Sequence, residues 1–202
     1  MSKRIGILTG GGDCPGLNAV IRAVILHARN TYGWEVVGIR NGFEGLYEEE
    51  YVDLDPARTQ QLLARGGTIL GSSNRANPFA YPLKLPDGRT EIHDVSATCM
   101  ANLARLDLGG LIVVGGDGTM SFGQKFIERG ANRIVGVPKT IDNDLEATEM
   151  TIGFATAVEV VVEALERLHT TAESHERIMI VEVMGRYAGW IALTSALSGG
   201  AH

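Results

Sequence analysis

Little in this 202-residue chain would staple it, anchor it or suit it to nucleic acid. Cysteine occurs twice, at Cys14 and Cys99, which gives neither a disulfide framework nor the spacing of a zinc site; two reduced thiols are expected. The formal net charge of −6 leaves no basic stripe to wrap a phosphodiester backbone. An anionic ligand would need local help from arginines and helix N-termini. Lys3 and Arg4 precede only IGILTG, too short and too glycine-rich for a signal peptide, and no apolar run approaches a membrane span. Internal repeats, low-complexity tracts and obvious linkers are also missing. These absences predict a soluble, cytoplasmic protein.

What is present is an α/β pattern. Hydrophobic residues make up 45% and charged residues 21%, enough for a buried core. The 26 glycines gather at the ends of apolar runs. Those runs, at 5–9, 35–39, 111–115, 133–137 and 178–184, are short, β-branched and largely unalternating, as parallel strands covered on both faces should be. Between them Leu17, Val20, Ile21, Val24 and Ala28 recur at helical spacing. So do Phe154, Ala157, Val158, Val161, Val162, Leu165 and Leu168, with Glu163 and Arg167 as a favourable i,i+4 pair on the other face. The alternation predicts a doubly wound, mainly parallel, three-layer α/β fold. Residues 48–50 (EEE) read as a solvated loop. Residues 71–90 hold three of the six prolines and read as an extended excursion.

Three loops follow strands. TGGGDCPGLN (9–18) is neither a dinucleotide fingerprint, because Pro15 occupies the third glycine position, nor a Walker A loop, because Leu17 stands where the lysine belongs. Its glycines still let backbone N–H groups approach an anion at a helix start, although a plain tight turn has the same composition. GGDGT (115–119) sets Asp117 among glycines at a strand's carboxyl end, where a carboxylate can hold Mg²⁺. PKTIDND (138–144) places a lysine and two carboxylates after Ile134–Val137; a capped, solvated turn is the alternative there. Parallel strands would bring all three loops to one edge of the sheet, and phosphoryl transfer needs such parts: metal, phosphate clamp and base.

GGDCPGLNAVIRAV, GGTILGSSNRANPF, GGDGT, PKTIDND, TIGFATAVE and SHERIMIVEVMGRYAGWIAL, in this order, resemble the amino-terminal part of 6-phosphofructokinase. GGDGT also occurs in NAD kinases and diacylglycerol-type lipid kinases; TIDND followed by MGR is the specific signal. The resemblance implies a donor-binding α/β domain over 1–150 and the start of a similar sugar-phosphate domain over 151–202. It implies phosphorylation of fructose 6-phosphate by MgATP, with Asp142 as base toward the sugar 1-hydroxyl and Asp144 supporting it. Thr140, Ile141, Met184, Gly185 and Arg186 would seat the sugar phosphate, Arg186 also facing the transferring phosphoryl. Asp117 would hold Mg²⁺, and Gly12, Gly116, Gly118 and Thr119 would approach the nucleotide phosphates. Arg177 would reach a neighbouring subunit's site in a homo-oligomer.

Departures accompany the likeness. SSNRANPF carries one residue more than the usual form, so Arg75 is a shifted match to the nucleotide-side arginine. Arg22 matches an effector-site position, but Leu26 stands where a second arginine is expected, which speaks against control by ADP or phosphoenolpyruvate. Gly118 is the residue of ATP users, whereas Lys139 is typical of pyrophosphate users. Family chains continue beyond SGGAH. The rival readings are therefore pyrophosphate as donor, a kinase sharing only GGDGT, or a catalytically incomplete nucleotide-binding fragment or regulatory subunit. His169 and His175 take no chemical role and read as a helix-end and a loop histidine.

Overall fold

The computed structural model describes residues 3–131 and 133–201, with the Arg58 side chain left aside. The chain divides into two compact units, Met1–Pro138 and Lys139–His202, a dozen residues before the boundary expected at 150. The first unit opens with β1 (Arg4–Thr9), α1 (Leu17–Tyr32), β2 (Glu35–Ile39), α2 (Phe43–Tyr47) and β3 (Tyr51–Leu54). Two short 3₁₀ turns follow, at Pro56–Thr59 and Leu62–Ala64, then β4 (Tyr81–Lys84), β5 (Thr90–His93) and α3 (Ser96–Arg105). β6 (Leu111–Gly115), α4 (Asp117–Glu128) and β7 (Ile134–Thr140) complete it, β7 running across the division. The second unit adds β8 (Ile152–Gly153), α5 (Phe154–His175) and α6 (Trp190–Gly199).

The six-stranded sheet has the order β3-β2-β1-β6-β7-β8, parallel except for β3, which pairs antiparallel with β2. β1 is central. Its neighbours Ile7 and Leu8 point to opposite faces and are both fully buried, as are Val113 and Val114 of β6. Helices therefore cover both faces, the reason these runs do not alternate. On one side the core gathers Phe43, Phe79 and Phe126, with ring centroids 5.3 Å apart for Phe43–Phe126 and 5.2 Å for Phe79–Phe126.

Helix α1 buries Leu17, Asn18, Ile21, Ile25 and Ala28, so the buried stripe passes through Ile25 rather than Val24. Asn18 is the unexpected member. Its Nδ2 donates to the carbonyls of Arg65 and Gly66 at 2.8 and 3.2 Å, and its Oδ1 accepts the Ile69 N–H at 2.9 Å. One buried amide thus holds the 65–69 loop against the helix.

Further expectations change. The excursion at 71–90 holds β4 and the turn of the β4–β5 hairpin, made by Asp87-Gly88: Asp87 Oδ1 accepts the Arg89 N–H at 3.0 Å, and Leu85 N–H bonds Arg89 O at 2.8 Å. The apolar run 178–184 forms no strand ladder among the described residues. Ile178 and Ile180 are 94% and 92% exposed there. Its residues suit a strand, but a strand forms only where another segment accepts its N–H and C=O groups. The helical pattern over 154–168 does hold, and the Glu163–Arg167 ion pair forms. Helix α5 runs to His175, so both histidines are helical; His169 Nε2 lies 2.9 Å from Gly199 O, at the end of α6. Cys14 and Cys99 are both buried and neither is in a disulfide, and no helix among the described residues is long and apolar enough to cross a membrane.

Candidate active site

In the first unit the chain leaves β1 toward β2 on one side and has β6 on the other, so the strand order reverses between β1 and β6. Open α/β sheets bind ligands outside the carboxyl ends of the strands at such a point. The 9–16 and 115–119 loops flank it, and the Gly10 N–H bonds Val114 O of β6 at 2.9 Å. Both loops use glycine for close packing against Thr119. A Cβ at Gly115 would lie 2.3 Å from the Thr119 Cβ, and one at Gly10 would lie 2.9 Å from its Cγ2. Thr119 is accordingly buried, and its backbone lies in the first turn of α4.

A third segment completes this edge. Gly11 N–H bonds Ser73 O at 3.1 Å, and the Ser72 hydroxyl donates to Gly11 O. Thr9 Oγ1 donates to Gly71 O at 2.8 Å, so its 2.9 Å contact with Thr68 Oγ1 is donated by Thr68. Gly11, Gly12, Asp13, Gly67, Thr68, Ser72 and Asn74 line a cleft of about 370 Å³. A side chain at Gly12 would meet nothing within 4 Å, so glycine there keeps the cleft open. Thr68, Ser72 and Asn74 were not legible as site residues; the small polar run in GGTILGSSN was their only signal. Arg75 is exposed next to this lining.

Asp117 is the first residue of α4 and is exposed, with Gly116 at the cap and Gly118 beside it in open space. Among the described residues no group of three or more His, Cys, Asp or Glu could cage a metal ion. A lone carboxylate at a glycine-rich strand end suits Mg²⁺, which keeps most of its waters and takes one or two protein oxygens plus substrate phosphates. The residues present fit that ion.

The second unit holds the acidic loop. Lys139 is 4% exposed, while Thr140, Ile141, Asp142 and Asp144 are half-buried. Thr140 Oγ1 accepts the Asp142 N–H at 3.1 Å. Arg186 comes to this loop from far along the chain, its Nη1 3.8 Å from Asp144 Oδ2. Gly185 (φ 149°) and Arg186 (φ 52°) make the turn that aims it. Asp144 is 21% exposed and Arg186 58%, so the pair sits at a partly dry surface open to a ligand. The structure therefore brings Asp142, Asp144 and Arg186 into one neighbourhood. Met184 and Arg177 are exposed.

The first unit thus carries glycine loops and a lone carboxylate on a mainly parallel α/β sheet, and the second a carboxylate loop that meets an arginine, parts of the kind that phosphoryl transfer uses. The phosphofructokinase family model matches residues 4–202. The chain belongs to the phosphofructokinase family. It is 55% identical over 199 residues to ATP-dependent 6-phosphofructokinase 2 of Clostridium perfringens, covering 98% of this chain and 54% of that protein. It is 52% identical to the pyrophosphate–fructose 6-phosphate 1-phosphotransferase of Streptomyces coelicolor, covering 98% and 55%. The chain spans about half the length of the curated relatives it matches. Among solved structures, the Pichia pastoris phosphofructokinase in the T-state superposes with a TM-score of 0.83 at 33% identity, over 100% of this chain and 22% of that one. A pyrophosphate-dependent phosphofructokinase from Marinobacter aquaeolei gives 0.77 at 26%, over 98% and 50%.

Proposed function

We propose that this chain serves a 6-phosphofructokinase that moves the terminal phosphoryl group of MgATP to the 1-hydroxyl of fructose 6-phosphate, a cytoplasmic step of glycolysis. The observation that carries the reading is the meeting of Asp144 in the TIDND loop with Arg186 of the MGR turn, 3.8 Å apart. Two carboxylates on one partly buried loop, with an arginine reaching it from the MGR turn, supply a proton acceptor and a phosphate clamp together.

Asp142 takes the sugar hydroxyl's proton as its oxygen attacks phosphorus. Asp144 keeps Arg186 turned toward the transferring phosphoryl, and Thr140, Ile141, Met184 and Gly185 shape the sugar-phosphate seat. Gly12, Gly116, Gly118, Thr119 and Arg75 serve the nucleotide phosphates. Asp117 would hold Mg²⁺, which when bound neutralises charge on the phosphate oxygens. Arg177, exposed just beyond the end of α5, serves a neighbouring subunit's site in a homo-oligomer. The donor and acceptor roles fall to the two compact units respectively.

A second reading has its own support: a relative at 52% identity is named for pyrophosphate, and Lys139 suits a pyrophosphate donor. Gly118 favours ATP. A carboxylate there would repel the nucleotide's phosphate, and the position is open glycine instead. The test is turnover of fructose 6-phosphate with ATP and with pyrophosphate offered separately. A higher kcat/KM with ATP is expected, and the reverse order would reassign the donor.

A further inference from the structure

Asp142 is held by a residue that makes no contact with the substrate in the reading above. Thr151 is 2% exposed. Its hydroxyl donates to Thr140 O at 2.6 Å, and its backbone N–H donates to Asn143 Oδ1 at 2.9 Å. A hydroxyl has one proton, so the 3.2 Å approach of Thr151 Oγ1 to Asn143 Oδ1 is the minor branch of the bond to Thr140.

The other ends of these bonds are also fixed. Thr140 Oγ1 accepts the Asp142 N–H at 3.1 Å. Asn143 Nδ2 donates to Glu149 O at 3.4 Å, and Asn143 lies at φ 51°, in the left-handed region that asparagine tolerates better than most residues. The residues on either side of Ile141–Asp142 are thus both tied to one buried threonine. The Asp142 amide is tied to one of them. Among the described residues nothing donates a hydrogen bond to the Asp142 carboxylate, so the bracket fixes the backbone and leaves the acceptor oxygens to the substrate.

We propose that Thr151 and Asn143 are positioning residues for the transfer step, setting where the Asp142 carboxylate stands when the sugar hydroxyl arrives. The inference rests on the assignment of Asp142 as the base. Displacing a catalytic group by about 1 Å can cost about 100-fold in rate, whereas sugar-phosphate affinity depends mainly on the phosphate clamp. Losing the Thr151 hydroxyl should therefore lower kcat and spare KM.

The test uses the chain at a length that turns over fructose 6-phosphate. Thr151→Val keeps the side-chain shape and removes the hydroxyl; Thr151→Ser keeps the hydroxyl and removes a methyl. The expected result is a kcat lower by about 10–100-fold in Thr151→Val with KM for fructose 6-phosphate within about threefold, and recovery to within about threefold of wild type in Thr151→Ser. A Thr151→Val kcat within about twofold of wild type overturns the proposal. So does a Thr151→Ser variant as impaired as Thr151→Val, since packing rather than the hydroxyl would then be at stake. Should Thr151→Val fail to fold, Asn143→Gly decides: glycine keeps the left-handed backbone and removes only the side chain that Thr151 reaches. The same kcat loss there supports the bracket, and wild-type kcat overturns it. Asp142→Asn measured alongside separates the two levels. Loss of turnover in Asp142→Asn with wild-type kcat in Thr151→Val removes the positioning role alone. Wild-type turnover in Asp142→Asn removes the assignment beneath it.

Discussion

Gly118 adjoins the metal-suited Asp117 at the start of α4, and a Cβ there would meet nothing within 4 Å. A substitution is sterically free, so its effect is electrostatic. Two like charges about 4 Å apart at an effective dielectric near 20 repel by about 4 kcal/mol, roughly a thousandfold in nucleotide affinity. Gly118→Asp should therefore abolish use of ATP while leaving pyrophosphate admissible. Equilibrium binding of ATP checks this, and unchanged affinity would move the nucleotide away from residue 118. Asn18 makes the opposite point about residues. It lies on an otherwise apolar helical stripe, and only its partners in the 65–69 loop explain it. Asn18→Ala leaves the Ile69 N–H without its acceptor and should cost about 1–3 kcal/mol by chemical denaturation.

At the scale of elements, the close approach of α4 to the ends of β1 and β6 is what glycine permits. Gly115→Ala would force a Cβ to 2.3 Å from the Thr119 Cβ. Overpacking of this kind costs about 1–3 kcal/mol, which a shift in the denaturation midpoint would show. Helix α3 has its own device. Asp94 Oδ1 accepts the Ser96 N–H at 2.9 Å, and its other oxygen meets Arg129 Nη2 at 3.2 Å. Its bonds to Ser96 hold the carboxyl below the usual carboxylate range, with Arg129 adding to the effect. A folded-state value lowered in this way gives stability that is present above the unfolded carboxylate pKa and is lost as pH falls through the folded one. Unfolding measured across that acidic window should be less pH-dependent in Asp94→Ala than in the wild type.

Four strands of the main sheet, β1, β2, β6 and β7, were legible because β-branched runs covered on both faces do not alternate, as Ile7–Leu8 and Val113–Val114 show; the short β3 and β8 were not read as strands. The β4–β5 hairpin was hidden behind its prolines, although Asp87-Gly88 announced its turn. In the site, glycine loops and clustered carboxylates were visible because their chemistry is local. Thr68, Ser72 and Thr151 were not, since each acts through a partner distant along the chain.

For the whole molecule, 178–184 is the segment where sequence preference and structure part. Periodicity and β-branching report a conformation, but no local pattern names the strand that would pair with it. Ile178 and Ile180 stand in solvent with their backbone outside any ladder among the described residues. Unpaired β-prone segments with exposed apolar side chains promote association. The 202 residues alone should associate in sedimentation-velocity experiments, and amides 178–184 should exchange faster than those of β1. A stable monomer with protected amides there would refute this.

The central claim is that Asp142 accepts the proton of the sugar 1-hydroxyl during transfer from ATP. General-base assistance supplies about 10²–10⁴-fold, so Asp142→Asn at a length of chain that turns over should lower kcat by at least about 100-fold. Fructose 6-phosphate affinity should change only modestly, because the phosphate is held by other groups. Measuring kcat with saturating MgATP, together with direct binding of fructose 6-phosphate, tests this most directly. A large fall in kcat with binding retained is the predicted result; an Asp142→Asn enzyme turning over at the wild-type rate would contradict the account.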